Sequence, residues 1–363
     1  MTRLIKNILC LLFLGLLLSL SDNLWAQQWG VDQLNGTYTS WGISNDTQVP
    51  SINLLGAWQK FKKKKDVIVA VIDTGIDATH PFLANNLYVP SGQVTSSNYG
   101  LDFSKGRTSQ TQPDDKHGHG THVAGIIKSI FPDVKILVLK YFNPHASGQE
   151  NLESTIEALR FAVDNGADVI NYSGGGPEPA SEELSILKKA ERKGIIVVAA
   201  AGNEESNIDD KKKAYFPASY GLTNIITVTA HDQARMVLSS SNFGKRSVDI
   251  SAPGYRIKSS LPGGRSGYLT GTSQATAFVS GVVALLKAQF SELSFTQVKS
   301  IIRDSAFKEQ TLTEKCATGG RLDAGKSIEV AAKMLGVDVN RMIAQEPLEQ
   351  AGKKEGKIIY RAK

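Results

Sequence analysis

Short continuous apolar runs recur along the chain. They cover Val67 to Ile72, Val134 to Leu139, Asp168 to Tyr172 and Ile195 to Ala200. Runs of this length that are rich in β-branched side chains are typical of strands buried on both faces of a parallel sheet. We therefore predict a buried parallel strand at each run.

Segments with helical spacing of apolar residues lie between and after these runs. The predicted helices are Ser154 to Asp164, Ser181 to Lys193, Ser273 to Leu286 and Ser294 to Arg303, the last opening with a capping box from Ser294 to Gln297. Strands that alternate with helices indicate βαβ units. The predicted fold class is therefore α/β, a doubly wound parallel sheet flanked by helices within a single domain.

Polar residues follow three of the predicted strands. Asp73 follows the first run, Ser173 to Gly176 follows the third, and Asn203 comes shortly after the fourth. Ligands of doubly wound sheets bind beyond the carboxyl ends of the strands. The sequence thus predicts that these residues meet in one crevice.

The first 26 residues have the pattern of a secretory signal peptide. Arg3 and Lys6 precede the apolar stretch Ile8 to Leu20, and we expect cleavage after Ala26. A membrane anchor is the alternative, but this stretch is shorter than the ~20 residues that span a bilayer. We predict three segments, namely the signal (1–26), a folded domain (27–336) and a polar tail or peripheral helix (337–363), in a secreted or periplasmic protein with no stable membrane insertion.

Composition narrows the picture further. The formal net charge is +6, and the basic runs, such as Lys62 to Lys65, are short and lack interleaved aromatic residues, which argues against a nucleic-acid partner. After signal removal Cys316 is the remaining cysteine, and we expect it to be an inert packing residue. We expect a monomer held together by core packing.

Four motifs carry the chemistry. Val71 to Asp77, Gly118 to Gly125 and Gly271 to Thr276 present an Asp, a His and a Ser in that order, and Ala199 to Asn203 is a fourth motif. Together they resemble the subtilisin-like serine proteases, or subtilases, over roughly Gln28 to Leu335. The resemblance implies a single catalytic domain of subtilisin-like fold and serine-type endopeptidase activity.

The resemblance assigns the catalytic roles. Ser273 is the expected nucleophile, His119 the general base, and Asp73 the residue that orients the imidazole and stabilises the imidazolium. A serine hydroxyl is a weak nucleophile at neutral pH, so it needs such a base within about 3 Å. Asn203 matches the side-chain donor to the oxyanion, assisted by the amino-terminal end of the helix at Ser273.

Glycine placement indicates how a substrate binds. By resemblance, Ser147 and Gly148 form one segment, and Ser173, Gly174 and Gly175 form the other. A peptide would lie between them as an added strand. The alternative is a pair of ordinary turns. We expect peptide or protein substrates with modest sequence preference.

Metal sites and cofactors are not expected. His117, His119 and His122 could suggest zinc, but only His119 and His122 have the spacing of ligands, and no carboxylate or further histidine is identifiable as a third one. Most subtilases bind calcium through a loop that here is reduced to Ile126 to Asp133, which is short and apolar. We predict that this family calcium site is empty and that the protein needs no cofactor.

Two further departures from the family bear on function. Ala277 stands where the family usually has proline, which could alter how an amine competes with water for the acyl-enzyme. The expected cleavage point leaves no room for the usual propeptide, so we expect folding without one. Two functional classes therefore compete. The first is an exported endopeptidase. The second is a non-hydrolytic protein, either a peptide-binding pseudoprotease or a peptide ligase or transpeptidase using the same cleft.

Overall fold

The computed structural model describes residues 41–46, 48–90, 92–104 and 111–338. The predicted signal peptide, 1–26, and all but the first two residues of the predicted tail, 337–363, lie outside the described residues. The strands are β1 (Ile68–Asp73), β2 (Leu87–Tyr88), β3 (Leu101–Asp102), β4 (Lys135–Lys140), β5 (Val169–Tyr172), β6 (Ile196–Ala200), β7 (Ile225–His231), β8 (Ile250–Pro253), β9 (Ile257–Leu261), β10 (Arg265–Leu269), β11 (Phe307–Lys308) and β12 (Gly320–Arg321). The helices are α1 (Leu54–Trp58), α2 (His119–Ile130), α3 (Gly148–Asp164), α4 (Ser181–Arg192), α5 (Thr272–Gln289), α6 (Phe295–Asp304) and α7 (Ala324–Met334).

A mostly parallel sheet organises the molecule. Its strand order is β11-β12-β8-β7-β6-β5-β1-β4-β2, with β3 also paired to β4. All pairs from β8 across to β4 are parallel. The strands β6, β5 and β1 are neighbours, so their carboxyl ends lie side by side at one edge of the sheet. The predicted doubly wound α/β fold in a single domain is confirmed.

Side chains alternate between two cores along each central strand. In β1, Val69 and Val71 face the core that contains α2 and α5, whereas Ala70 and Ile72 face the core that contains α3 and α4. Each apolar side chain of this size stabilises the fold by roughly 1.5–3 kcal/mol when fully buried. Because helices cover both faces of the sheet, the side chains on both faces of each central strand are buried and mostly apolar. This explains the continuous apolar runs in the sequence.

The predicted elements are present, with shifts at their ends. The capping box at Ser294 is confirmed. The helix predicted from Ser154 begins earlier, at Gly148, because Ser147 and Glu150 form a second capping box that the apolar spacing does not reveal. The antiparallel hairpin of β9 and β10 was not predicted, although Gly263 and Gly264 at its turn are a hairpin signal.

Within the described part of the chain, no helix combines enough length and apolar character to cross a membrane.

Candidate active site

Asp73 and His119 are joined by a short hydrogen bond. Asp73 ends β1 and His119 begins α2, and the distance from His119 Nδ1 to Asp73 Oδ1 is 2.7 Å. The Asp73 carboxylate is buried and also accepts from the backbone N–H of Thr74 at 2.7 Å. Since Asp73 engages Nδ1, the other nitrogen of the ring, Nε2, is left to exchange a proton with a reacting group.

The electrostatics of His119 favour its charged form. Burial of the ring opposes protonation, but the charge and hydrogen bond of Asp73, together with the charge of Asp115, outweigh it and raise the pKa of His119 above 6.5. A base with a raised pKa accepts a proton more readily. This arrangement fits an imidazole that becomes imidazolium during a reaction.

His122, one turn further along α2, has the opposite environment. Its Nε2 lies 2.9 Å from the carbonyl oxygen of Ile257, and the ring is fully buried. Burial lowers the pKa of His122 to about 4. Its contact with the β9–β10 hairpin indicates a structural role.

Asp115 holds the beginning of α2 in place. Its buried carboxylate accepts hydrogen bonds from Thr74 Oγ1 and the Gly118 N–H on Oδ1, and from the N–H and hydroxyl of Thr121 on Oδ2. Thr74 Oγ1 in turn accepts from the N–H of Gly120 at 2.9 Å. The network ties the residue after Asp73 to the first turn of α2, so it fixes the position of His119 relative to Asp73. This anchoring role of Asp115 was not predicted from the sequence.

Ser273 lies in the first turn of α5. Its side chain is nearly buried, and Oγ donates to the carbonyl oxygen of Ser173 at 3.0 Å. Among the described residues, Ser273 Oγ has no hydrogen bond to His119. The single hydroxyl proton of Ser273 must therefore leave the Ser173 carbonyl before it can pass to His119, and such unaligned hydrogen bonds are common in sites without substrate.

Asn203 is fixed by the same helix end. Its Oδ1 accepts from the Thr272 N–H at 3.0 Å and from the Thr272 hydroxyl at 3.2 Å. Because a backbone N–H can only donate, the atom facing it must be the amide oxygen. The amide nitrogen of the exposed Asn203 is consequently available to donate to another oxygen beside Ser273.

The predicted substrate segments differ in their surroundings. Ser173, at the end of β5, contacts Ser273 directly, and Gly174 and Gly175 follow it. Ser147 caps α3, where its N–H and hydroxyl both bind Glu150, and a β-carbon on Gly148 would meet nothing within 4 Å. The structure thus places one segment against Ser273 and the other at an open helix start.

Side-chain oxygens in the segment from Ile126 to Asp133 already have partners. Ser129 donates to the carbonyl oxygen of Gly125 within α2, and Asp133 lies 3.6 Å from the amine of Lys63. In the ranges that the structure describes, no group of three or more His, Cys, Asp or Glu side chains has a metal-binding arrangement.

Two other residues noted in the sequence lie in the core. Ala277 is fully buried within α5, which runs without interruption from Thr272 to Gln289. Cys316 is fully buried, and burial raises the pKa of its thiol against the effect of its hydrogen bonds, so the reactive thiolate is disfavoured.

The fold and these motifs can be compared with known proteins. The model of the subtilase family, Peptidase_S8, matches residues 64–327, which is well over half of the chain. The chain therefore belongs to the subtilase family, and it is a serine-type endopeptidase. Peptide or protein substrates follow from this class.

Individual relatives agree with this assignment. The chain is 35% identical to the major intracellular serine protease of Bacillus subtilis (strain 168) over 66% of this chain and 73% of that protein. It is 35% identical to subtilisin of Bacillus pumilus over 66% of this chain and 84% of that protein. It is 37% identical to the thermophilic serine proteinase of Bacillus sp. (strain AK1) over 64% of this chain and 55% of that protein.

Proposed function

We propose that this subtilase is an exported endopeptidase that hydrolyses peptide bonds through Asp73, His119 and Ser273. The observation that carries the proposal is the 2.7 Å bond between His119 Nδ1 and Asp73 Oδ1, which leaves Nε2 as the proton acceptor. Ser273 stands at the start of the neighbouring helix α5, and α2 and α5 pack against each other.

The reaction follows from these positions. His119 Nε2 takes the proton of Ser273 Oγ as that oxygen attacks the scissile carbonyl carbon. Asp73 stabilises the imidazolium that results. The Asn203 amide nitrogen and the Ser273 N–H, at the positive end of α5, donate to the oxyanion. His119 then protonates the leaving amine, and water releases the acyl group by the reverse sequence of proton transfers.

The substrate binds through its backbone in this proposal. The part before the scissile bond lies as a strand along Ser173, Gly174 and Gly175, with Ser147 and Gly148 on its other side. A side chain would not fit at Gly174 or Gly175. A β-carbon on Gly174 would lie 2.6 Å from Tyr141 Oη, and one on Gly175 would lie 2.3 Å from the Phe216 carbonyl oxygen. The backbone of the segment is thus kept accessible.

A non-hydrolytic function is the second candidate. The hydrogen bond from Ser273 Oγ to the Ser173 carbonyl favours it, because without a peptide the hydroxyl donates to Ser173 and not to His119. A peptide-binding pseudoprotease would keep the hydrogen bond from Ser273 to Ser173 when a peptide is bound. A ligase or transpeptidase would form the acyl-enzyme but transfer the acyl group to an amine. Ala277, in place of the usual proline, bears on whether the amine or water receives that group.

Labelling with a fluorophosphonate probe tests the proposal. The full chain is expressed in a bacterial host, and cytoplasm, periplasm and medium are each treated with the probe. We expect the wild type to label outside the cytoplasm at a mass reduced by residues 1–26, and to release peptide acids even with added amine. Ser273→Ala should lose labelling, while Ser300→Ala, a serine on the distant helix α6, should retain it.

The other outcomes are equally informative. A folded wild type that does not label is a pseudoprotease, and amide products in place of acids identify a transferase. Labelled protein of full mass confined to the cytoplasm contradicts export.

A further inference from the structure

The ring of Tyr215 lies between two glycines beside the active site. A β-carbon built on Gly175 would lie 2.5 Å from Cε1 of Tyr215, and one built on Gly202 would lie 3.0 Å from Cδ2. These two atoms are on opposite sides of the tyrosine ring. The Tyr215 ring therefore reaches both glycines and occupies the space next to them, which we call the gap.

The position of this gap relates it to the substrate. Gly175 belongs to the segment that begins with Ser173, which contacts Ser273, and Gly202 precedes Asn203. The two segments follow β5 and β6, which are neighbours in the sheet. In the proposed binding mode, a peptide whose carbonyl lies between Ser273 and Asn203, and whose backbone follows Ser173 to Gly175, has its acyl residue next to this gap.

Several contacts keep Tyr215 in place. Its N–H donates to Ser219 Oγ at 3.1 Å, and its carbonyl accepts from the Ser219 N–H at 2.8 Å. The next residue, Phe216, exchanges two backbone hydrogen bonds with Gly176, at 2.7 and 2.9 Å. The ring also packs on a small apolar cluster that includes Ala201 and Ala218. The residue after Tyr215 is thus hydrogen-bonded to the residue that follows the substrate segment.

We propose that Tyr215 closes the space for the acyl residue, so that this enzyme cleaves after residues with small side chains, such as glycine, alanine and serine. This inference rests on the proposed function, because it places the scissile carbonyl at Ser273 and Asn203. A leucine or phenylalanine side chain would need the volume that the ring occupies. Well-packed protein regions do not accept such added volume without displacement.

Peptide p-nitroanilides that differ only in the residue before the scissile bond test the proposal. With alanine, leucine and phenylalanine at that position, we expect wild-type kcat/KM to favour alanine over phenylalanine by at least about tenfold. Tyr215→Gly should raise kcat/KM for the phenylalanine substrate and remove or reverse the preference. Equal cleavage of both substrates by the wild type, or an unchanged ratio in Tyr215→Gly, overturns the proposal.

Two variants control this experiment. Tyr215→Phe keeps the ring and removes the hydroxyl, so the preference for alanine should persist. If it is lost as in Tyr215→Gly, the hydroxyl decides the preference and the proposal is wrong. Tyr215→Ala serves in place of Tyr215→Gly if the glycine variant does not fold.

A binding measurement separates this inference from the proposed function. Fluorescent peptides ending in alanine or phenylalanine are titrated into the Ser273→Ala protein. If the wild type hydrolyses no substrate, the proposed function fails, but tighter binding of the alanine peptide, abolished by adding Tyr215→Gly, still supports the role of Tyr215. Equal binding of both peptides overturns it.

Discussion

The polar groups at the two ends of the parallel sheet differ in whether they already have partners within the protein. At the carboxyl ends of β1, β5 and β6, the Asn203 amide nitrogen and the Ser273 N–H are available to a ligand, whereas the Thr272 N–H is bonded to Asn203 Oδ1. At the amino ends of β7 and β8, the side chain of Asp249 accepts from the Thr227 N–H at 2.9 Å and lies 3.1 Å from Lys299 and 3.3 Å from Arg303. The Lys299 amine also donates to the Ile225 carbonyl.

Cavity size alone does not distinguish the two ends. The amino-end charges line a cavity of about 640 Å³, and a cavity of about 410 Å³ is lined by Thr74, the residue after Asp73, and by His117, which lies near His119 in the sequence. In the larger cavity, Asp249 is already paired with Lys299 and Arg303. Donors left without protein partners therefore mark the reactive end better than volume does, and the paired end should serve stability.

Replacing Asn203 should affect activity far more than stability. We expect Asn203→Ala to lower kcat by about 10²–10³-fold with little change in KM, because its donated hydrogen bond forms in the transition state. The melting temperature should fall by no more than about 4 °C, since only a cap of Thr272 is lost. Steady-state kinetics and thermal unfolding measure both.

A second substitution separates the two functions of this side chain. Asn203→Asp keeps the oxygen that accepts from Thr272 but replaces the donor with an oxygen. Its kcat should fall at least as far as that of Asn203→Ala, with a smaller loss of stability. A change confined to KM in both variants would assign Asn203 to substrate binding.

Replacing Asp249 should give the converse result. Asp249→Asn leaves Lys299 and Arg303 without their counter-charge, which we expect to lower the free energy of unfolding by about 2 kcal/mol, less than for a fully buried pair because Arg303 is half-exposed. The melting temperature should fall by about 4–8 °C with kcat/KM unchanged.

Arg303→Gln provides the matched control for this prediction. It removes only the more exposed partner and should cost less than about 1 kcal/mol. A loss of activity in Asp249→Asn without a loss of stability would show that the amino end takes part in function.

The pH dependence of activity should show the smallest effect. His119 accepts a proton only when neutral, so kcat/KM rises as the pH increases through the pKa of His119. Because Asp73 raises this pKa, we expect the midpoint of the acidic limb above 6.5. His122, with a pKa of about 4, stays neutral over this range and does not contribute.

Removing the carboxylate charge should shift this limb. In Asp73→Asn the lowering effect of burial is no longer outweighed by Asp73, so the midpoint should move to lower pH along with a large fall in rate. Asp249→Asn, at the opposite end of the sheet, should leave the midpoint where it is. A shift in Asp249→Asn as large as that in Asp73→Asn would contradict the separation of the two ends.

The order of the elements could be predicted because the physical signal is local. Continuous apolar runs locate β1, β4, β5 and β6, although each strand begins one residue later than predicted, since hydrogen-bond pairing and not apolarity sets its limits. The convergence of Asp73, Ser173 and Asn203 at one edge follows from the parallel arrangement of those strands.

Other features depend on segments that meet only in the folded chain. The role of Asp115 requires that Thr74 and Thr121 both contact it in the folded chain. The position of the Tyr215 ring depends on two glycines from different loops. Neither leaves a periodic signal in the sequence. The hydrogen bond from Ser273 Oγ to the Ser173 carbonyl is likewise a property of the assembled site.

The burial of α5 bears on how such an enzyme survives its own activity. Every residue of this helix except Lys287 is buried, so its amides can exchange with solvent only when the domain opens as a whole. We expect self-digestion to start in exposed loops, such as the stretch that contains Glu204, Glu205 and Lys211. The helix that carries Ser273 is thus expected to be among the last parts to become cleavable, and a nick in a surface loop would leave Ser273 in an intact core.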